Sequence, residues 1–420
     1  MNAAVATSAP PDAAVPAERL LPALLCAAAW SPYLPLGCQY LAFLLCGLLA
    51  LRSLHRVGRL GAVAADPVLR AAALLWGWLA LSSAWSSAPA PALVSHLWTY
   101  SLMLWVAPIA HACGAATGRR ALGHFIAASC LLALLVTLNA AGALPAGWAW
   151  RPFVDVSGNQ RIAFSLQLAL AAALALHLAL QRQDRKPWFV AAAALCLVGL
   201  ALQDRRTGML AAPVLLAALS LAHLHRGRQR ALLLLLIAAA AVAAWRWVPT
   251  VQQRLAEGLG ELQAYHSDGD VSTSWGMRAR MFEVTMRMAA EHPIAGHGVG
   301  SWVSQWRPRV AGSAALEVNT TPHNEYLLLL VQGGLVAWAA GLLLVLRAAR
   351  GVARRGKAGV PALLLLTALC WAGLFNVVLR DAKFALPLLL LSALAWGASH
   401  AGGADSTRTM APPRPPDPAA

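Results

Sequence analysis

Residues 325–346 read EYLLLLVQGGLVAWAAGLLLVL, and after Glu325 no charged residue occurs before Arg347. A helix needs ~20 mostly apolar residues to cross a ~30 Å hydrocarbon core, and this run has that length and polarity. Runs of the same kind recur along the chain. They are read at 19–36, 37–51, 70–86, 93–112, 122–143, 161–179, 188–203, 207–224, 231–248, 325–346, 360–379 and 384–400. The fold expected is an all-α integral membrane protein of about 12 transmembrane helices.

Composition agrees. The 420 residues are 59% hydrophobic and 12% charged, with a mean hydropathy of +0.60. A soluble chain of this kind would expose too much apolar surface, whereas lipid removes that conflict. Few charges interrupt the runs, because each would cost ~2.5–3.5 kcal/mol at a lipid-exposed helix centre.

The net charge of +16 suggests nucleic acid at first sight, but its distribution points to a membrane. With both termini in the cytoplasm, every inner turn is basic, as the positive-inside rule requires. Arg52, Arg56 and Arg59, then Arg119 and Arg120, then Arg347, Arg350, Arg354, Arg355 and Lys357 are the clearest clusters. A bacterial inner membrane is the expected location. All seven cysteines lie in or beside apolar runs without metal spacing and read as small buried hydrophobes. Residues 1–18 read as a polar cytoplasmic tail ahead of an uncleaved anchor, and 401–420 as a Pro-rich disordered cytoplasmic tail.

Spans one to nine occupy 19–248 and spans ten to twelve 325–400. Between them, 249–324 is a long external segment, and loops of that length need a reason. Helices are read over 251–262 and 276–291. In the second, Met277, Met281, Phe282, Val284, Thr285 and Met288 share one side. The segment is therefore a partly helical periplasmic cap.

Several residues at the outer ends of spans suit chemistry on an anion. Asp204-Arg205-Arg206-Thr207-Gly208 puts two arginines where the topology rule predicts few. They reach lipid headgroups, or pair with Asp204, or hold a phosphorylated ligand, for which the planar, permanently charged guanidinium is suited. Arg278 and Arg280 point in different directions from one helix, so they are either a solvated helix face or only one of them faces a pocket. Arg161 follows the Gly158-Asn159-Gln160 turn. His323, in Thr321-Pro322-His323-Asn324-Glu325, is either an interfacial side chain or a base, its tautomer set by Asn324 or Glu325. The turn carrying Gly298 and Gly300 is either a hinge or a source of backbone N–H groups for an anion.

Together these pieces resemble the O-antigen ligase family, within the O-antigen ligase/polymerase superfamily. QDRRTG at 203–208 is similar to its S-R-G or S-R-T-G segment, with Arg206 in the arginine position and Arg205 where serine is usual. That departure leaves open which of the two faces the site. TSWGMRARMF at 273–282 resembles G-L-R-x-x-x-W, with Arg278 as the arginine and Phe282 in place of Trp. HPIAGHGVGSW at 292–302 resembles H-P-h-x-G-x-G-x-G-S-F. PHNEYLLLLVQGGLVAW at 322–338 resembles P-H-N-x-x-L with a following Gly-Leu-rich helix.

The resemblance implies an inverting GT-C-type glycosyltransferase working at the periplasmic face without metal, nucleotide or other cofactor. Its donor would be a glycan on undecaprenyl pyrophosphate and its acceptor a sugar hydroxyl of lipid A–core. His323 would be the base. Arg206 and Arg278 would hold pyrophosphate, with Arg205 and Arg161 as auxiliary contacts and Asn324, Gly298 and Gly300 in support. An O-antigen polymerase and a protein O-oligosaccharyltransferase are the alternatives within the superfamily. A polyisoprenoid-glycan transporter is the rival of another class, but no internal repeat or midplane charge favours it.

Overall fold

The computed structural model describes residues 16–145, 151–203, 205–224, 227–232 and 249–400, with 235, 239, 242 and 246 between. The principal helices are α1 (Pro16–Ala28), α2 (Leu36–Arg56), α3 (Pro67–Leu81), α4 (Ala90–Ser101), α5 (Val106–Ala112), α6 (Ala115–Ala140), α7 (Gly158–Gln181), α8 (Lys186–Gln203), α9 (Arg206–His223), α10 (Pro249–Asp268), α11 (Ser274–Glu291), α12 (Trp302–Arg309), α13 (Glu325–Arg354), α14 (Val360–Gly373) and α15 (Ala382–Ala398). No strand occurs among the described residues.

Eight helical stretches are long and apolar enough to cross a membrane, and three shorter apolar helices join them, at Leu20–Tyr33, Thr207–His223 and Ala382–Ala398. Each coincides with a run read from the sequence. The span read at 231–248 lies outside the described residues apart from isolated positions.

α7 is the axis of the bundle. It packs against α6, α8, α9 and α14, and 83% of its central window is buried, against 28% for α2, α3 and α8. The Ala/Leu sequence from Ala163 to Ala175 makes this possible, since small side chains let helix backbones approach closely. Gly208 in α9 shows how close: a Cβ there would fall 2.5 Å from the Ser165 hydroxyl of α7.

α13 departs from the sequence reading twice. It continues through the basic residues to Arg354, because arginine and alanine are good helix formers and water solvates the charges. It is also broken at Gly334, which has φ 63° and ψ −161°. Segment 293–298 repairs the break. Leu335 and Val336 N–H donate to the carbonyls of Pro293 (2.8 Å) and Ile294 (3.4 Å), while the Val331 and Gln332 carbonyls accept from His297 N–H (2.7 Å) and Gly298 N–H (2.9 Å). Backbone groups inside a membrane protein need such partners. The indoles of Trp78 and Trp85 close the joint, donating to the Gly333 carbonyl at 2.8 Å and the Gly296 carbonyl at 3.2 Å.

The 249–324 segment is a helical cap. α10 and α11 are longer than the 251–262 and 276–291 helices expected, and Thr273 caps α11 by accepting Gly276 N–H at 3.1 Å. α12 was not read from the sequence, because Pro308 and its charged residues obscure the period. The apolar side of α11 packs Met281, Val284 and Met288 onto Trp302, Trp306, Leu328 and Val331. Phe282 does not join them: it is 53% exposed, one residue out of phase with the stripe.

Candidate active site

The site forms at the end of the bundle that carries the cap. His323 sits just ahead of α13 with φ 51°, the only non-glycine residue with positive φ among the described residues. Side chains reach this region of φ at a cost, and such positions gather at functional sites.

The neighbours expected to orient His323 are occupied elsewhere. Asn324 caps α13 by accepting Leu327 N–H at 2.9 Å, and its amide donates to the Leu374 carbonyl at 3.0 Å. Glu325 is 4% exposed and accepts from the Tyr100 hydroxyl at 2.9 Å and from Leu379 N–H at 2.8 Å. These contacts tie the His323 turn to the loop before α15. Behind them, Arg380 Nε donates to His96 Nε2 at 3.1 Å, and the Gln332 amide meets His96 Nδ1 at 3.2 Å.

His323 instead feels two charges from distant parts of the chain. Burial pushes its pKa below the ordinary imidazole value, the Arg278 guanidinium lowers it further, and Asp381 opposes both. The ring is therefore neutral at neutral pH, with a nitrogen lone pair free to take a proton. Of Arg278 and Arg280, the two candidates on α11, Arg278 is the one that acts on the histidine. Arg280 turns away and donates to Glu283 at 3.2 Å.

Asp381 extends the site to the central helix. It caps α15, accepting Lys383 N–H at 3.0 Å, and its second oxygen accepts from Asn159 Nδ2 at 2.6 Å in the first turn of α7. Two residues on, Arg161 Nε donates to Gln203 Oε1 at 3.2 Å, at the end of α8. Arg205 caps α9 two residues after Gln203, and its buried Nε meets no acceptor. His323, Arg278, Asp381 and Asn159 are thus linked in one group, and Arg161 and Arg205 follow Asn159 and Gln203 by two residues each in sequence. Arg206 opens α9, but its side chain and Asp204 lie outside the described residues.

Gly298 and Gly300 are positions of close backbone packing. A Cβ on Gly298 would fall 2.5 Å from Ser86 Cα, and Gly300 lies against Ala88 and Ala92. The N–H groups of His297 and Gly298 serve α13, and that of Val299 donates to the Ser82 hydroxyl at 3.0 Å. The turn is a clasp in which the N–H groups of His297, Gly298 and Val299 are engaged within the protein.

An apolar cavity of about 320 Å³ begins at Glu325 and Tyr326, runs between α3, α5, α13, α14 and α15, and ends at Asp66 and Trp396.

Residues 191–342 match the family model described as O-antigen ligase. This stretch of the chain belongs to the O-antigen ligase family. With its apolar helices the chain is a multi-pass membrane protein, and its 191–342 stretch is of the O-antigen ligase/polymerase type. No curated protein matches the chain. The matched stretch contains Arg205, Arg278 and His323. Asn159, Arg161 and Asp381 enter from outside it. Sequence reasoning missed Asp381 and Asn159. A signal was present in Arg380-Asp381-Ala382-Lys383, a charged patch at the mouth of an apolar run.

Proposed function

We propose that this protein transfers a glycan from undecaprenyl pyrophosphate to a sugar hydroxyl of lipid A–core at the periplasmic face of a bacterial inner membrane, with inversion. The observation that carries this reading is His323, held at positive φ just ahead of α13 and kept neutral by burial and by Arg278, with Asp381 opposing them. The acceptor hydroxyl oxygen attacks the anomeric carbon opposite the leaving group. As that bond forms, His323 takes the hydroxyl proton and the C–O bond to pyrophosphate breaks.

The leaving diphosphate gains charge as the bond breaks. Guanidinium groups aimed at it favour the transition state over the ground state. Arg278, which acts on His323, and Arg205, whose buried Nε meets no acceptor, take this role, with Arg206 next to Arg205 in sequence and Arg161, held by Gln203, as an auxiliary contact. Asp381 balances the histidine: as the ring becomes cationic, the carboxylate offsets the charge of Arg278. The 320 Å³ apolar cavity beside Glu325 suits part of an isoprenoid chain whose head rests at the site.

The test is purified protein with lipid-linked donor and lipid A–core acceptor. His323→Ala should insert and express normally yet lose at least ~10²-fold in transfer, the lower range for a proton-transfer catalyst. Near-normal transfer by that variant would remove the base role. Extension of a second lipid-linked glycan in place of lipid A–core would make the enzyme a polymerase.

A further inference from the structure

α11 separates two different surfaces. Residues 278 and 280 stand about 200° apart around a helix. Arg278 acts on His323, whereas Arg280 lines a cleft of about 580 Å³ within the cap. Tyr265 and His266 at the end of α10 form one wall, Arg280 and Glu283 another, and Arg309 and Ser313 the third. That volume is in the range of sites for small organic ligands.

The lining suits a polyhydroxylated ligand. The Tyr265 and His266 rings line the cleft 5.7 Å apart and edge-on at 61°, so flat ring surface stands beside polar groups. Glu283 supplies acceptors, Arg280 and Arg309 supply donors, and Ser313 supplies both. These groups are already held in place. Glu283 accepts from Tyr265, Arg280 and Arg287, and the Tyr265 hydroxyl foremost keeps its carboxyl below the usual range. Arg309 donates to Gln305 Oε1 at 2.9 Å and pairs with Glu291. Groups fixed beforehand lose little freedom on binding. The arginines are matched by Glu283 and Glu291, so the cleft lacks the uncompensated cationic charge that a diphosphate requires.

We propose that this cleft is a second, sugar-binding subsite. It holds a hydroxyl-rich oligosaccharide segment about one helix diameter (~10–12 Å) from the reaction centre. A glycan joined to the reacting sugar then passes over α11 and is gripped on its far side. The link to transfer rests on the function proposed above; the binding does not.

The probes are two sets of oligosaccharides released by mild acid from the source organism's surface glycans: repeat-unit fragments and core fragments, both free of lipid and pyrophosphate. They are titrated calorimetrically into full-length His323→Ala protein in detergent. Ala311 is exposed on the cleft wall, and Ala311→Trp fills the space. Adding it should weaken binding of one set at least tenfold, and the affected set identifies donor or acceptor glycan. His266→Ala removes an exposed ring without disturbing the cap's core and should weaken the same set about threefold. In otherwise unaltered enzyme, Ala311→Trp should raise KM for long glycans and leave kcat on a single-sugar donor unchanged. Equal binding with and without the tryptophan, or no binding of either set, overturns the subsite. Absence of transfer by the unaltered protein, with cleft-dependent binding intact, overturns the proposed reaction and leaves the subsite standing.

Discussion

His323 combines an unfavourable backbone with a favourable charge balance. At φ 51° a β-carbon costs ~1–2 kcal/mol relative to glycine. His323→Gly should therefore be more stable than His323→Ala by about 1 kcal/mol, read as a thermal shift, though both lack activity. The charge balance gives a paired prediction. The neutral ring is the active form, so kcat/KM falls as pH drops through its pKa, which burial and Arg278 place below the ordinary ~6.5. Arg278→Gln removes a repelling cation, raises that pKa and moves the acid limb to higher pH. Asp381→Asn removes an attracting anion and moves it lower. Shifts in the same direction would exclude this electrostatic arrangement. Much of the site was legible at this scale, because arginines at span ends break the topology pattern. The choice between Arg278 and Arg280 was latent in Glu283, which lies at helical spacing from Arg280 and leaves Arg278 for another partner. The histidine's partners were not legible: adjacent polar residues suggested tautomer control, whereas Asn324 and Glu325 satisfy backbone and buried groups.

The broken α13 and its splint show how an element can hide inside a continuous apolar run. Gln332-Gly333-Gly334 gives no sign of a break, since spanning helices tolerate glycine. The complementary signal sits forty residues earlier, in a Gly-rich turn that reads equally well as an anion nest. Only the exchange of backbone hydrogen bonds joins the two. Gly334→Ala would place a Cβ 2.1 Å from the Ile294 carbonyl at a positive φ, and should cost about 2 kcal/mol or more. Gly77→Ala, in α3 with nothing within 4 Å of the new methyl, should be neutral or stabilising by ~0.5–1 kcal/mol. Thermal unfolding of the two variants in one detergent compares them directly. Equal stability would mean that the clasp is not holding the helix.

At the scale of the whole molecule, hydropathy and basic turns located the apolar helices well, because lipid imposes a length on every segment that crosses it. Helix ends were read less well, because capping side chains and water set them; Asp66 starts α3 ahead of its apolar run by accepting Val68 N–H at 2.7 Å. The packing order could not be read from hydropathy, since a helix sealed among helices is as apolar as one facing lipid. Orientation can be tested with single cysteines in a background lacking the native seven. Ser272→Cys in the cap should react with an impermeant maleimide in intact cells, and Lys357→Cys, at the opposite basic end, only after lysis. The reverse pattern would turn the molecule over and remove the proposed reaction from the periplasm.

The near-complete enclosure of α7 carries a further consequence. Helices that touch acyl chains adjust their tilt when a bilayer thins or thickens. α7 has little contact with those chains, and it carries Asn159 and Arg161 at its tip. The floor beneath the reacting groups is thus mechanically isolated from the host membrane's thickness, and turnover should vary little between short- and long-chain phospholipid vesicles.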